Sequence, residues 1–285
     1  MKKTLLALTM TFMSLYSSAS HLMGGQITAR NIGGLTYEVT LTLYRDTLGI
    51  PMYTTANVEY FDSLSMPIMT RIVLVGAPTA IGNGVEKYAY VDTVTFPYAG
   101  EFHAQFSDCC RNAAIMNIGS GAGSGSLYLD NIIYADPSNS SPVFLNDPIT
   151  VAQDSVPFSY NPSPFDIDGD SLSWIMDIPM DFVSGSSSGL PFPVYFLPPS
   201  DTANPFTLNP ITGEITFTPI AIGNFQISVK AIEYRNGVAI GSIRRDMQLI
   251  VIPSPNTPIV VSATPNIYRV MPNANTTSAP TYVNP

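Results

Sequence analysis

The chain is short of charge, of histidine and of cysteine. Of its 285 residues only 12% are charged, against about 25% in an ordinary globular domain. Basic residues number 12, histidines two, cysteines two and tryptophans one. Outside the first twenty residues no stretch of ten or more shows clean helical periodicity, and none reaches about 18 consecutive apolar residues.

Each shortage excludes something. With 21 acidic residues the formal charge is −9, a sign that repels phosphate backbones and anionic membranes and attracts divalent cations. Two adjacent cysteines do not make a zinc site, which needs more ligands. No Gly-x-Ser-x-Gly elbow and no His-Glu-x-x-His occurs, and only His21 and His103 are there to act as imidazole bases. Carboxylates paired in space for glycoside hydrolysis stay open, because that spacing is invisible in sequence. The Gly119–Ser126 run lacks the Gly-Lys-Ser/Thr ending of a phosphate cradle and reads as a flexible loop. No transmembrane helix is expected.

What the chain has is turns and β-formers: 25 Pro, 20 Gly, 15 Tyr and 14 Phe. Residues 1–20 read as a secretory signal peptide, with Met1-Lys2-Lys3 as its basic start, an apolar run over Leu5–Tyr16 and small residues Ser17–Ser20. Cleavage falls after Ala19 or Ser20, and the destination is the extracellular space or outer cell surface. Without Lys2 and Lys3 the net charge becomes −11.

Short alternating runs bounded by turn residues then predict strands. In the first part these are Gln26–Asn31, Thr36–Tyr44, Asn57–Asp62, Thr70–Val75, Lys87–Phe96, Glu101–Ser107 and Leu127–Ala135. The second part adds Ile149–Ala152, Pro157–Tyr160, Leu172–Met176, Phe206–Leu208, Glu214–Thr218, Asn224–Glu233 and Ile243–Ile252. Asn236-Gly237 predicts the hairpin between the last two. His103 is expected to face solvent, and Arg244-Arg245 to place one side chain outward and one at an interface. Residues 180–203 form a long Ser/Gly/Pro-rich loop, a length usually tied to function or mobility. The Asp136–Pro142 stretch reads as a linker. The expected fold is all-β: an immunoglobulin-like β-sandwich over 21–136, a linker at 137–142, a second, cadherin-like sandwich over 143–253, and over 254–285 an extended tail or the truncated start of a third domain, with one strand at Ile259–Ala263.

The chemically richest stretch is Phe165-Asp166-Ile167-Asp168-Gly169-Asp170-Ser171-Leu172. Three carboxylates at alternate positions penalise one another's ionisation. A hard cation with several oxygen ligands removes that penalty, and calcium is the usual extracellular choice. A helix-loop-helix calcium site is rejected, although Asp166, Asp168, Asp170 and Asp177 fall at its positions one, three, five and twelve. The turn glycine is at position four rather than six, and no amphipathic helices flank it. The competing reading is a solvated Asp/Gly turn.

Three motifs, His21–Ile27, Tyr37–Asp46 and Ser107–Asn112, resemble the amino-terminal part of secreted gliding-motility-associated surface proteins of bacteria. Those proteins string together β-sandwich modules of immunoglobulin, PKD or cadherin type. The stretches 165–172, 211–217 and 223–229 are similar to a cadherin-like module. The resemblance covers roughly residues 21–253 and departs at Thr47, where the family commonly has Cys. It implies calcium beside or between the domains. It carries Asp166, Asp168 and Asp170 over as ligands, adds Asn146 and Asp147 after the linker, and adds Glu233 in place of an Asp.

Cys109 and Cys110 allow a vicinal disulfide, pairing between chains, or free thiols. The leading expectation for function is a non-enzymatic secreted or cell-surface structural or adhesion protein, linked by resemblance to gliding motility. Its partners would be other surface proteins or extracellular glycans, with no nucleic acid. A glycan-binding module, using aromatic residues of the 180–203 loop, stands second. A copper-dependent oxidative enzyme, using His21 as amino terminus together with His103, stands third.

Overall fold

The computed structural model describes residues 22–74, 76–119, 123–148, 151–182 and 188–255, with the short antiparallel strand pair Tyr268–Arg269 and Tyr282–Val283. The expected signal peptide, His21 and the strand at 259–263 lie outside the described residues. The protein is all-β and largely antiparallel. No helix among the described residues is long and apolar enough to cross a membrane.

The first half supplies β1 (Leu22–Gly33), β2 (Thr36–Asp46), β3 (Thr55–Asp62), β4 (Pro67–Leu74), β5 (Thr79–Gly82), β6 (Val85–Thr95), β7 (Gly100–Asp108) and β8 (Leu127–Ala135). The second half supplies β9 (Val143–Phe144), β10 (Val151–Gln153), β11 (Phe158–Tyr160), β12 (Pro164–Phe165), β13 (Ser171–Asp177), β14 (Met180–Asp181), β15 (Leu190–Pro191), β16 (Thr207–Leu208), β17 (Ile215–Phe217), β18 (Gly223–Arg235) and β19 (Val238–Ile252).

Alternation decides which side chains go inside. In β2, Tyr37, Val39, Leu41 and Leu43 are buried in a core shared with Val58, Tyr60, Phe102, Phe106 and Leu129. A separate core in the second half gathers Trp174, Phe217, Phe225, Ile227, Val229 and Leu249. Gly213 makes one close approach in it: its backbone lies on the Trp174 ring, where a Cβ would sit 2.6 Å from the indole, and its φ of +71° suits glycine.

Two cores do not make two detached sheets. The path β1-β2-β6-β4-β3-β7-β8 leaves β1 and β8 with free edges, and β19 fills the gap between them. One edge of β19 is taken by β18 along its whole length. The other edge pairs Ser242–Ile243 with β8, then Asp246–Met247 with Gly24–Gly25 of β1, then Ile250–Ile252 in parallel with β10. The long final hairpin of the second half thus completes the sheet of the first. Gly24 permits this, since a Cβ there would lie 2.0 Å from the Asp246 carbonyl oxygen.

Two expectations are corrected. The 137–142 segment is not a solvated linker. Asn139, Ser140 and Ser141 are buried. The Ser141 N–H donates to the Ala29 carbonyl at 2.7 Å, and the Ser141 hydroxyl accepts from the Ala29 N–H at 2.7 Å. The segment satisfies backbone groups of β1 that β19 does not reach. Next, neither Arg244 nor Arg245 faces outward; both are buried. Arg244 bonds to Asp130 at 2.5 Å and Asp177 at 2.9 Å. Arg245 donates to the Tyr160 hydroxyl at 2.7 Å and the Asn146 carbonyl at 2.9 Å, stacked over Phe144. Both faces of β19 are covered, so alternation along it no longer separates inside from outside. For the same reason the polar face of β18 is internal at Gln226 and Ser228. Asp246, fully buried, takes Arg111 at 2.6 Å and Gln226.

The remaining strand expectations follow the observed elements closely. The short strands β5, β9, β12, β14 and β15 have no counterpart in the sequence reading.

Candidate functional site

The acidic turn leads straight into β13, and register brings it a fourth carboxylate. Leu172 of β13 pairs with Glu233 of β18, so Glu233 lies beside the end of the turn. Ligand oxygens of Asp166, Asp170 and Glu233 lie within 4.8 Å of one another.

Each carboxylate of the turn has its own task. Asp166 Oδ1 accepts the backbone N–H groups of Asp168 and Asp170, both at 3.0 Å, and so shapes the turn. Its Oδ2 is buried without a hydrogen-bond partner. Burial raises the Asp166 carboxyl above its usual range, against the two N–H groups that lower it. Asp170 is held low, chiefly by Arg235, whose Nε and Nη2 donate to its two oxygens at 2.9 and 2.5 Å. Asp168 turns away, and its Oδ2 accepts the Ser140 N–H at 2.5 Å.

Glu233 is the unusual member. It is 1% exposed, and its Oε1 has no hydrogen-bond partner. Burial, reinforced by Asp166 and Asp170, pushes its carboxyl up to about 8. Gly241, opposite Glu233 in the ladder, leaves room for it, since a Cβ there would lie 3.0 Å from Oε2. A buried carboxylate with an open lone pair, facing two more carboxylates, is a costly arrangement when metal-free. The all-oxygen donor set, with unpartnered atoms on Asp166 and Glu233, fits a hard divalent cation.

Of the residues expected as ligands, the structure brings together Asp166, Asp170 and Glu233. It does not bring Asn146 and Asp147 to them. The Asn146 carbonyl serves Arg245 and the Tyr160 hydroxyl. Asp147 Oδ1 accepts from the Tyr44 hydroxyl at 2.8 Å and Lys87 at 2.7 Å. Both are occupied in joining the halves, because the residues after 142 run back across the end of β2.

Sequence reasoning missed Arg235, Asn139 and Ser140. Arg235 follows Glu233 by two, hence on the same face of β18, and that spacing was the available signal. Its Nη2 also donates to Asn139 Oδ1 at 2.6 Å, so the 138–140 segment is fastened to the acidic turn through Arg235 and Asp168. Cys109 and Cys110 are adjacent in sequence and their sulfurs lie side by side. His103 is hydrogen-bonded to Glu101 at 3.0 Å.

In the 180–203 loop, Phe192 packs with Ile115 and Ile118, beneath Arg111, while Phe182, Val194 and Phe196 remain exposed. No protein-family model matches the chain, and no curated protein matches it.

Proposed function

We propose that the protein is a non-enzymatic secreted or cell-surface structural or adhesion module, stiffened by calcium held by Asp166, Asp170 and Glu233. The observation that carries this reading is the buried Glu233 carboxylate, whose Oε1 lacks a partner within reach of Asp166 and Asp170. Arg235 balances only one of these charges. A divalent cation supplies the remaining counter-charge and takes the unpartnered oxygens as ligands.

The mechanism is mechanical. The same turn is tied through Asp168 and Arg235 to the 138–140 segment, which is itself bonded to β1. Holding the turn in place therefore holds the junction between the halves. Secretion and the link to gliding motility rest on the signal-like residues 1–20 and on the family resemblance.

Calorimetric titration of the full chain with calcium tests the reading. A single site with a dissociation constant of roughly 10⁻⁴–10⁻³ M is expected, as for extracellular modules. Asp166→Asn should abolish the heat. Absence of calcium heat in the wild type, at millimolar concentration, would remove calcium from the account.

A further inference from the structure

Asp170 has two claimants. It is one of the three carboxylates proposed to hold calcium, yet both of its oxygens are already taken. Arg235 Nε donates to Oδ1 at 2.9 Å, and Nη2 donates to Oδ2 at 2.5 Å. This two-pronged pairing covers the lone pairs with which a carboxylate grips a metal through both oxygens. The Asp170 side chain is only 7% exposed, so it has little room to turn a fresh face to a second cation.

The other two carboxylates carry no such guard. Asp166 Oδ2 and Glu233 Oε1 are buried without partners. Among the described residues, Arg235 is the one cation in an ion pair with this cluster. It does for Asp170 what a metal would do, with one positive charge in place of two. The two cations do not share Asp170 easily. Calcium–oxygen bonds run about 2.3–2.6 Å, so an ion on Asp170 would lie within roughly 5 Å of the guanidinium. Like charges that close, on a carboxylate mostly out of water, repel with little screening.

Arg235 has somewhere else to stay. Its Nη2 also donates to Asn139 Oδ1 at 2.6 Å and to the Ser138 carbonyl at 3.4 Å. Its side chain is 28% exposed, so water replaces Asp170 at the donors it leaves. The turn itself remains fastened, since the bond from the Ser140 N–H to Asp168 Oδ2 does not involve Arg235.

We infer that Arg235 is a displaceable counter-ion of the cation site: it occupies Asp170 in the calcium-free protein, and calcium binds by exchanging for it. This inference rests on the calcium reading and adds the regulation of that site. The exchange sets the affinity, because every binding event breaks an ion pair. It also prepares the calcium-free chain, in which one carboxylate of the cluster is already neutralised. In the loaded protein Arg235 is held by residues 138–139 alone.

The test is calorimetric titration of the full chain with calcium, in the wild type, Arg235→Gln and Arg235→Lys. Arg235→Gln should bind calcium roughly tenfold or more tightly than the wild type. Arg235→Lys keeps the charge and should stay close to the wild type. In chelator the melting midpoint of Arg235→Gln should instead fall, because Asp170 loses its partner. These opposite signs separate a displaced counter-ion from a positioning residue, whose loss would lower both. A second measurement uses the wild type alone. The Arg235 Nε–H proton, followed by NMR, should exchange with water slowly in chelator and faster once calcium is bound. Equal or weaker calcium binding by Arg235→Gln, or unchanged Nε–H protection, would overturn the exchange while wild-type heat upheld the calcium site. No heat in any of the three proteins would remove the calcium site, and the exchange with it.

Discussion

At the scale of single residues, Glu233 sets how the calcium-free protein responds to pH. Its folded-state value, pushed from 4.5 up to about 8, means that the folded state holds a proton that the unfolded state has released. Stability therefore falls as pH rises between these two values, by at most about 1.4 kcal/mol per pH unit. Asp170 works the other way. Held low by Arg235, it contributes stability above its unfolded value and loses it as pH falls through the folded one. Urea midpoints in chelator should decline between about pH 5 and about pH 8, and Glu233→Gln should flatten the decline. An equal decline in the variant would assign it to other groups. Arg111 and Asp246 are both fully buried and paired at 2.6 Å. Asp246→Ala strands the Arg111 charge and should cost roughly 3–5 kcal/mol, read from the same denaturant curves.

At the scale of elements, β1 and β19 are the critical pair. A Cβ at Gly24 would overlap the Asp246 carbonyl oxygen, so Gly24→Ala has to push the strands apart. A loss of roughly 2–4 kcal/mol is expected, together with faster amide exchange at Met247. Wild-type exchange there would mean that the two strands are not held together. The same elements divide what was legible in the sequence from what was not. β2 and β7 alternate over much of their length because one face meets a core, and their strands and inward residues could be read directly. β18 and β19 are covered on both faces, so one of Arg244 and Arg245 was expected to face outward although both are buried. The acidic turn was visible as spacing within five residues. Its link to Glu233 depends on register across the β13–β18 ladder, and its link to Ser140 on a segment whose Pro, Ser and Asn content imitates a solvated linker. Asn146 and Asp147 were misplaced because nothing local reports that Tyr44, Lys87 and Arg245 wait for them.

At the scale of the whole molecule, the two cores share a sheet completed by β19. Residues 22–136 alone would leave the edges of β1 and β8 unpaired, a template for aggregation. That fragment should express as aggregate or melt well below the full chain, which should unfold in one transition. Two well-separated transitions, with a soluble folded fragment, would show that the β19 contacts contribute little. The central claim is that a cation at Asp166, Asp170 and Glu233 stiffens this junction. Thermal unfolding of the full chain in chelator and in about 10 mM calcium tests it most directly. With a dissociation constant of roughly 10⁻⁴–10⁻³ M the gain is about 1.4–2.7 kcal/mol, or roughly 3–10 °C for a chain of this size. The account predicts that rise in the wild type and its absence in Glu233→Gln. An unchanged midpoint in the wild type, or the same rise in the variant, would contradict it.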